Sequence, residues 1–331
     1  MKTKIIYPDN IKEAAECIKN GGTVVFPTET VYGLGGDAFN EKAIDKIYAA
    51  KGRPGDNPLI VHISDLNELD NLVCEITEYA KVLINRFWPG PLTMIFKKKP
   101  SVPSKVTAGR NTVAVRFPSN ETAQELIRES GTPIAAPSAN LSGSPSPTVC
   151  SDVVDDLYSR VDYIIDATGC EIGLESTVVD VSGDDVIILR PGGITLEMIK
   201  ELIPDAYLDS GLVDENAIPK CPGLKYTHYS PKADVTVVQG EPEKVREYIT
   251  SVIENSVGVL SYKSGSYDNA GLVLFAGNNM EEYAHNLFSH LREFDRHNIK
   301  KVFAEFIPEP GMGVAVQNRL YKAAGHKIIE V

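Results

Sequence analysis

The sequence predicts an α/β protein with two domains of unequal size. From residue 1 to about residue 203, short β-branched or apolar runs alternate with longer segments whose apolar residues have helical spacing. Residues 204–232 lose this periodicity and are punctuated by Pro, Gly, Asp and Tyr, which is typical of a linker. Residues 233–331 return to the alternation. We therefore expect an N-terminal α/β domain with a large, curved, mixed sheet and a smaller C-terminal domain.

The strands of the first domain are predicted from apolar and β-branched runs that end at polar, Gly or Pro residues. The run Val24–Phe26 stops at Pro27, which cannot donate a ladder N–H. The other predicted strands are Leu59–Ile63, Leu92–Phe96, Val113–Arg116, Ile134–Ala136, Ile164–Asp166, Thr177–Val181 and Val186–Leu189. The predicted helices, from apolar spacing, are Ile11–Ile18, Ala43–Ala50, Ile76–Phe87, Thr122–Arg128 and Ile194–Ile203.

The second domain alternates five strand-like runs with helices. The strands are Val235–Val238, Val257–Ser261, Leu272–Phe275, Val302–Phe306 and Lys327–Val331, and the helices are Glu243–Asn255, Met280–Arg296 and Val314–Ala324. This order predicts a three-layer α/β/α, Rossmann-like domain. The turn Gly311-Met-Gly313 does not predict NAD binding, because Val316 stands where the third glycine is needed and the chain ends soon after. A P-loop motif is also missing, so ATP would need another kind of site.

The stretch Gly22–Ile63 predicts an anion-binding site. A strand leads into a Thr/Glu/Gly loop, then a helix that begins at the cap Asn40 and ends at Gly52, then a second strand. Lys51 and Arg53 stand at the end of this helix. Together with backbone donors they favour phosphate or carboxylate binding. The alternative is that the two cations only offset the helix macrodipole.

Polar residues also follow several other predicted strands. After Ile134–Ala136 the chain opens into a loop with the polar and Gly residues Ser138, Asn140, Ser142, Gly143 and Ser146. These could bind a nucleotide or simply cap their own turns. Alternation along the strand at 112–116 places Thr112, Ala114 and Arg116 on one face, and Ser176 and Arg190 flank later strands. A site rich in cations and hydroxyls is therefore predicted.

Composition restricts the function further. The chain has 33 Lys and Arg against 45 Asp and Glu, a net charge of −12, which disfavours RNA coating as the main role. Lys97–Lys99 with Arg110 and Arg116 could still form a basic face. The five cysteines are scattered without a CxxC motif, so neither a disulfide framework nor a metal site is predicted. No apolar run has the length of a signal or membrane span, so we expect a cytoplasmic protein with no membrane partner.

Eight ordered motifs between about residues 5 and 232 resemble one family. They are PTETVYGLG, KGRPGDNPLIVHI, WPGPLT, TVAVRFP, APSANLSGSPSPT, ESTVVD, LRPGG and KYTHYSPKA, and they resemble the YrdC/Sua family of L-threonylcarbamoyl-AMP synthases. The tail from about Ala233 is similar to the extra domain of two-domain members. The resemblance implies a YrdC-like fold and a nucleotidyltransferase that makes threonylcarbamoyl-adenylate and pyrophosphate from L-threonine, bicarbonate and ATP. The product would pass to the enzymes that modify the adenosine beside the anticodon of tRNAs reading codons that begin with A.

The same resemblance implies a role for each matching residue. Lys51 and Arg53 would be catalytic. ATP would be bound by Lys51, Arg53, Asn57, Thr112, Ser138, Asn140, Ser146 and Arg190, with Tyr226 and Tyr229 closing over the nucleotide as part of a lid at 204–232. Threonine would be bound by Thr30, His62, Arg116, Ala136 and Ser176. Mg²⁺ would be bound mainly through the ATP phosphates, and the resemblance assigns no protein ligands to it.

Three alternatives remain open from the sequence. His62 could be a satisfied core histidine on a buried strand. The chain could be a carbamoyl-handling enzyme, since a YrdC-like module also occurs in hydrogenase-maturation carbamoyltransferases, although nothing here resembles their acylphosphatase-like or zinc-finger segments. It could also be an RNA-binding or ribosome-associated factor of the same fold. Weak RNA binding is compatible with the synthase and with the carbamoyl-handling enzyme.

Overall fold

A computed structural model describes residues 2–209, 228–263 and 267–331 of the chain, which form two units. Of these, the first unit contains residues 2–142, 147–171 and 175–209, and the second contains 143–146, 172–174 and the remainder from 228 on. None of the helices in the described ranges is long and apolar enough to cross a membrane.

The first unit is a mixed α/β structure, as predicted. Its strands are β1 (Lys4–Ile6), β2 (Val24–Phe26), β3 (Gly33–Asp37), β4 (Ile60–His62), β5 (Leu92–Lys97), β6 (Thr112–Arg116), β7 (Ile134–Ala136), β8 (Tyr163–Ile165), β9 (Thr177–Asp180), β10 (Ile187–Arg190) and β11 (Tyr207–Leu208). Its helices are α1 (Ile11–Lys19), α2 (Glu41–Lys51), α3 (Glu78–Phe87), α4 (Ser104–Thr107), α5 (Glu121–Ser130), α6 (Cys150–Leu157) and α7 (Leu196–Lys200), with 3-10 turns at Pro8–Asn10 and Leu66–Asn71.

Within the described part of this unit, eleven strands form one sheet in the order β1-β8-β2-β3-β7-β4-β6-β5-β9-β10-β11. The sheet contains parallel pairs such as β4 with β6 and antiparallel pairs such as β5 with β6, so it is mixed. The main apolar core includes Val61, Val115 and Val179 of the central strands. These residues alternate along their strands with the side chains of the opposite face, where the polar residues of the candidate site lie.

Helix α2 is built as its sequence predicts. The Asn40 side chain accepts hydrogen bonds from the backbone N–H groups of Lys42 and Ala43, and Gly52 ends the helix with a φ of 62°. Such a left-handed residue is least costly as glycine. Because both ends are fixed by local signals, the position of Lys51 in the last turn is also fixed.

The structure differs from the sequence-based prediction at Gly33–Asp37, where the sequence predicts part of a Gly-rich loop. These residues form β3, antiparallel to β2. Glycine has a low strand propensity, and the strand was therefore missed. The glycines are required by close packing: a Cβ at Gly35 would lie 2.5 Å from Cγ2 of Ile134 and 2.7 Å from Cε1 of Phe26. Strand β1 and helix α6 were also not predicted, and β11 extends the sheet beyond residue 203.

The second unit is a parallel α/β structure. Its strands are β12 (Asp234–Gln239), β13 (Val257–Tyr262), β14 (Leu272–Gly277), β15 (Lys301–Phe306) and β16 (Ile328–Glu330), and its helices are α8 (Pro242–Val252), α9 (Met280–Arg296) and α10 (Met312–Ala323). The strand order is β14-β13-β15-β12-β16, and each neighbouring pair is parallel. This confirms the Rossmann-like α/β prediction for the C-terminal region.

Candidate active site

A row of five side chains crosses one face of the first sheet. The register pairs His62 with Arg116, Arg116 with Thr93, Thr93 with Val178 and Val178 with Arg190. Directly paired residues project from the same face of a sheet. The register shifts between Ile188 and Arg190, and the hydrogen bond from Arg190 to the Ser176 hydroxyl places Arg190 on this face. The row therefore aligns two buried arginines, a histidine and a threonine over β4, β6, β5, β9 and β10.

The loop between β2 and β3 reaches Arg116 from its side. Arg116 Nη1 donates to Thr30 Oγ1 at 2.8 Å, and Arg116 Nη2 lies 2.9 Å from Glu29 Oε2. The side chains of Glu29 and Arg116 are each only 4% exposed. Thr30 is fixed in turn by Thr28, whose hydroxyl lies 2.8 Å from its own. The predicted pocket residues Thr30 and Arg116 are thus in direct contact.

Glu29 was not predicted as a site residue, although it lies inside the quoted PTETVYGLG motif. Burial alone would raise the pKa of this carboxyl, but attraction to the Arg116 guanidinium and a hydrogen bond from the Ser119 backbone N–H outweigh it, so the pKa is lowered. Glu29 is therefore ionised at neutral pH. Its position directly before Thr30 is the only signal that the sequence offered.

Ser176 and Arg190 extend the row through hydrogen bonds. The Ser176 hydroxyl lies 2.7 Å from the Thr93 hydroxyl, and Arg190 donates from Nη2 to Ser176 Oγ at 3.1 Å and from Nε to Ser176 O at 3.0 Å. Two hydrogen bonds thus connect the Arg190 guanidinium with Thr93, the cross-strand neighbour of Arg116. Two residues assigned to different ligands, Ser176 for threonine and Arg190 for ATP, are therefore brought together. Thr93 itself was missed, because sequence alone does not give cross-strand register.

His62 is buried and neutral. Burial, reinforced by the nearby positive charge of Arg116, lowers the pKa of His62 to about 3. Its Nδ1 lies 3.2 Å from Ile60 O, and its ring makes an edge contact with Phe26 at 6.0 Å between ring centroids. This packing is what we expect of a buried core histidine. His62 is nevertheless also the cross-strand neighbour of Arg116 in the row. Neutral imidazole can line a pocket and hydrogen-bond to a ligand but cannot supply positive charge.

A second, apolar row runs beside the first. Ala136 pairs with Ile60, Ile60 with Ala114, and Ala114 with Ile95, so all four share the face of the polar row. Ala136 is 2% exposed. The methyl group at Ala136 leaves more room above the sheet than a larger side chain would. Ala136, which was predicted to line the threonine pocket, therefore lies in the apolar row next to the polar row.

Lys51 anchors the loop that follows β7. Its Nζ donates to Ser138 O, to Asn140 O at 2.6 Å and to Asn140 Oδ1 at 3.3 Å, and Lys51 is only 2% exposed. The Ser138 hydroxyl in turn donates to Asn140 Oδ1 at 2.5 Å. The Ser142 backbone N–H closes the cluster by donating to Lys51 O at 3.0 Å. A cation that only offset a helix macrodipole would lie in solvent, so the geometry disfavours that alternative.

Arg53 and Asn57 lie together in the basic turn before β4. The half-buried Arg53 donates from Nη2 to Pro58 O at 3.1 Å and from Nε to Asn57 O at 3.4 Å. The Tyr48 hydroxyl donates to the same Asn57 carbonyl at 3.0 Å. The turn is therefore built around the Asn57 and Pro58 carbonyls. Arg53 keeps more contact with solvent than Lys51 does.

The remaining predicted ATP ligands are Thr112, Ser146, Tyr226 and Tyr229. Thr112 begins β6 on the face of Arg116, about 13 Å away along the strand. Ser146 is buried and belongs to the loop 143–146, which groups with the second unit. Tyr226 lies outside the described residues, as does most of the predicted lid. Tyr229 is 4% exposed and stacks on Phe288 with ring centroids 5.1 Å apart, so a nucleotide contact by Tyr229 stays a prediction.

The donor set suits anionic and polar ligands more than a bound metal. Among the described residues, no three His, Cys, Asp or Glu side chains cluster as a metal site. Apart from Glu29 and His62, the groups gathered in the site are cations, hydroxyls and amides. Such groups bind phosphate and carboxylate oxygens.

Comparison with known proteins identifies the family. The family model described as "Telomere recombination" matches residues 16–192, more than half of the 331 residues, and the model described as "Threonylcarbamoyl-AMP synthase, C-terminal domain" matches residues 194–325. The threonylcarbamoyl-AMP synthase of Pyrococcus abyssi is 47% identical, over 97% of this chain and 96% of its own. The chain belongs to the threonylcarbamoyl-AMP synthase family. The family resemblance predicted from the motifs is thereby confirmed.

A further relative and a solved structure match over nearly the full length of this chain. The threonylcarbamoyl-AMP synthase of Bacillus subtilis is 48% identical, covering 99% of this chain and 100% of its own. The crystal structure of P. abyssi Sua5 complexed with L-threonine superposes with a TM-score of 0.95 at 46% identity, covering 99% and 100% of the two chains. Both domains of the threonylcarbamoyl-AMP synthase family are therefore represented in this chain.

Proposed function

We propose that this protein makes L-threonylcarbamoyl-AMP and pyrophosphate from L-threonine, bicarbonate and ATP, for threonylcarbamoylation of tRNA. Membership of the threonylcarbamoyl-AMP synthase family over both domains supports the reaction. The observation that carries the proposal is the connection between Arg116 and Arg190. Arg116 is the cross-strand neighbour of Thr93, and Ser176 lies within hydrogen-bonding distance of both Thr93 and Arg190. This connection places an arginine suited to an amino-acid carboxylate on the same sheet face as an arginine suited to a nucleotide.

The reaction needs two bond-forming steps. The neutral amine of threonine attacks the carbon of bicarbonate, which gives a carbamate and releases water. A carbamate oxygen then attacks the α-phosphorus of ATP, a new P–O bond forms, and the P–O bond to the departing pyrophosphate breaks. The steps need no covalent enzyme intermediate, so the residues must chiefly align the reactants and stabilise negative charge.

In this proposal Arg116 binds the threonine carboxylate, and Thr30 and Ser176 offer hydroxyls to the amino acid. Ala136 bounds the pocket on the apolar side, and His62 lines it as a neutral ring. A rigid pocket is valuable here because the carbamate must meet the α-phosphorus in line. The buried contacts of Arg116 supply that rigidity.

Lys51, Arg53 and Arg190 would supply positive charge on the nucleotide side. Lys51 holds the Ser138–Asn140 loop in shape, and Arg53 presents its partly exposed guanidinium from the neighbouring turn. We expect Asn57 and Thr112 to contribute further polar contacts to ATP. Mg²⁺ would arrive bound to the ATP phosphates and neutralise their charge. The adenylate would then pass to the enzymes that modify tRNA.

Omission of single substrates tests this proposal. The purified protein with Mg·ATP, bicarbonate and L-threonine should release pyrophosphate, and removal of threonine or bicarbonate should reduce the rate to background. Arg116→Gln should raise the threonine concentration needed for half-maximal rate. Pyrophosphate release that continues unchanged without threonine would refute the proposed reaction.

A further inference from the structure

Glu29 and Arg116 form a buried ion pair with incomplete hydrogen bonding. Their closest atoms, Oε2 and Nη2, lie 2.9 Å apart. Nevertheless, Glu29 Oε2 and Arg116 Nη2 make no aligned hydrogen bond with any described residue, and neither does Arg116 Nε. The carboxylate oxygen is close enough for charge attraction but lies off the direction of the N–H bonds. The guanidinium is therefore held by charge while part of its donor capacity is unused.

The unused donors are on one edge of the guanidinium. Nη1 is occupied by Thr30, while the N–H groups of Nε and Nη2 on the opposite edge point in parallel. Two parallel N–H groups are the arrangement that binds both oxygens of a carboxylate. Buried polar groups are rarely left unsatisfied without a reason, since each costs free energy. This edge is therefore suited to a ligand.

Glu29 is itself fixed, which makes it an effective anchor. Its Oε1 accepts a hydrogen bond from the Ser119 backbone N–H at 3.2 Å, and its side chain is 4% exposed. Ser119 follows β6 closely, so the anchor and the arginine are tied to the same strand. A long side chain such as that of Arg116 otherwise has several rotamers, and fixing it in advance lowers the cost of binding.

We propose that Glu29 is a positioning residue of the amino-acid pocket and holds Arg116 so that its Nε/Nη2 edge binds the substrate carboxylate. The negative charge of Glu29 also cancels the charge of Arg116. As a result, the pocket prefers a zwitterion to a simple carboxylate anion. The proposal rests on the proposed function for the identity of the amino acid. Without Glu29 the pocket would be a bare buried cation. Such a pocket would attract any small carboxylate anion more strongly than it attracts a neutral zwitterion.

The test compares Glu29→Gln, which is nearly isosteric, with wild type and with the surface control Glu78→Gln. Glu78 pairs with Lys81 and is 86% exposed, so its change should leave all parameters unaltered. Glu29→Gln should raise the KM for L-threonine about 10- to 100-fold, because a charge-assisted contact becomes misaligned. The KM for ATP should change less than about twofold, and kcat less than about threefold.

A binding measurement without catalysis provides the second readout. The Kd is measured for L-threonine and for 3-hydroxybutyrate, which lacks the amine. In Glu29→Gln the Kd for 3-hydroxybutyrate divided by the Kd for L-threonine should fall at least about fivefold, because the anion gains affinity relative to the zwitterion. A purely structural role would not change this ratio. If Glu29→Gln does not fold, Glu29→Asp is measured instead. This variant shortens the side chain by one methylene, and its KM for L-threonine should also rise.

The outcomes separate the two proposals. An unchanged KM for threonine and an unchanged binding ratio in a folded variant would overturn the role of Glu29 while leaving the synthase function intact. A wild-type protein that binds L-threonine but makes no threonine-dependent product would refute the function, and the binding ratio would still test Glu29.

Discussion

Replacement of Lys51 should damage stability and activity together. Its ammonium donates to two backbone carbonyls, Ser138 O and Asn140 O, and to the Asn140 side chain, all around one buried nitrogen. Lys51→Met keeps most of the stem but removes every donor. Each carbonyl left without a partner in a buried place costs about 1–3 kcal/mol. The two together predict a loss of roughly 2–6 kcal/mol in the free energy of unfolding.

That loss corresponds to a lower Tm by about 5–20 °C, since 1 kcal/mol shifts the Tm of a domain of this size by about 2–4 °C. Because the loop at 138–140 should also lose its shape beside the nucleotide, we expect turnover to fall by about 10²-fold or more at a temperature where the variant is folded. Thermal unfolding followed by circular dichroism and a pyrophosphate-release assay measure the two effects.

A surface lysine provides the matched control. Lys81 pairs with Glu78 and is 54% exposed, so Lys81→Met should shift the Tm by less than about 2 °C and leave turnover unchanged. A Lys51→Met protein with the Tm and turnover of wild type would show that Lys51 is only a cation at the helix end, the alternative that the sequence left open.

Further predictions concern three other residues. Arg53→Ala should reduce turnover by about 10²-fold while the Tm stays within about 3 °C, because the guanidinium is only half-buried and donates to the neutral carbonyls of Asn57 and Pro58; a twofold loss of activity would contradict this. Arg190→Lys should raise the KM for ATP by at least about fivefold, because one ammonium cannot reproduce the Nε and Nη2 contacts with Ser176; an unchanged KM would count against a nucleotide role. Burial and the charge of Arg116 lower the pKa of His62 in the folded chain to about 3. Below about pH 6.5 the unfolded chain therefore binds a proton at His62 that the folded chain does not bind. Wild type should therefore lose up to about 2–3 kcal/mol more stability than His62→Gln between about pH 6.5 and pH 4.5, and parallel stability curves would show that His62 titrates normally.

Local signals made much of the fold predictable. Asn40 and Gly52 fixed the ends of α2, and the alternation along Thr112–Arg116 gave the correct face for Arg116. The alternation of strands and helices predicted both α/β units. These features depend on neighbours in the sequence, where propensity and periodicity act directly.

The site could be predicted only in part because its contacts are long-range. Lys51 reaches Ser138 and Asn140, 87 and 89 residues away, and nothing in the sequence of α2 distinguishes such a lysine from a surface cation. Glu29 meets Arg116 across 87 positions, and Thr93 joins the row through strand register alone. The family motifs indicated most of these positions, but only the fold shows which of them touch.

The most direct measurement of the central claim follows labelled carbon into the product. The purified protein is incubated with ¹⁴C-bicarbonate, Mg·ATP and L-threonine, and the nucleotides are separated rapidly by chromatography. We expect a labelled adenylate containing one threonine, one carbamoyl carbon and one AMP, formed together with an equal amount of pyrophosphate and missing when threonine is left out. Pyrophosphate release without incorporation of label into a threonine-containing adenylate would show that the protein does not make threonylcarbamoyl-AMP.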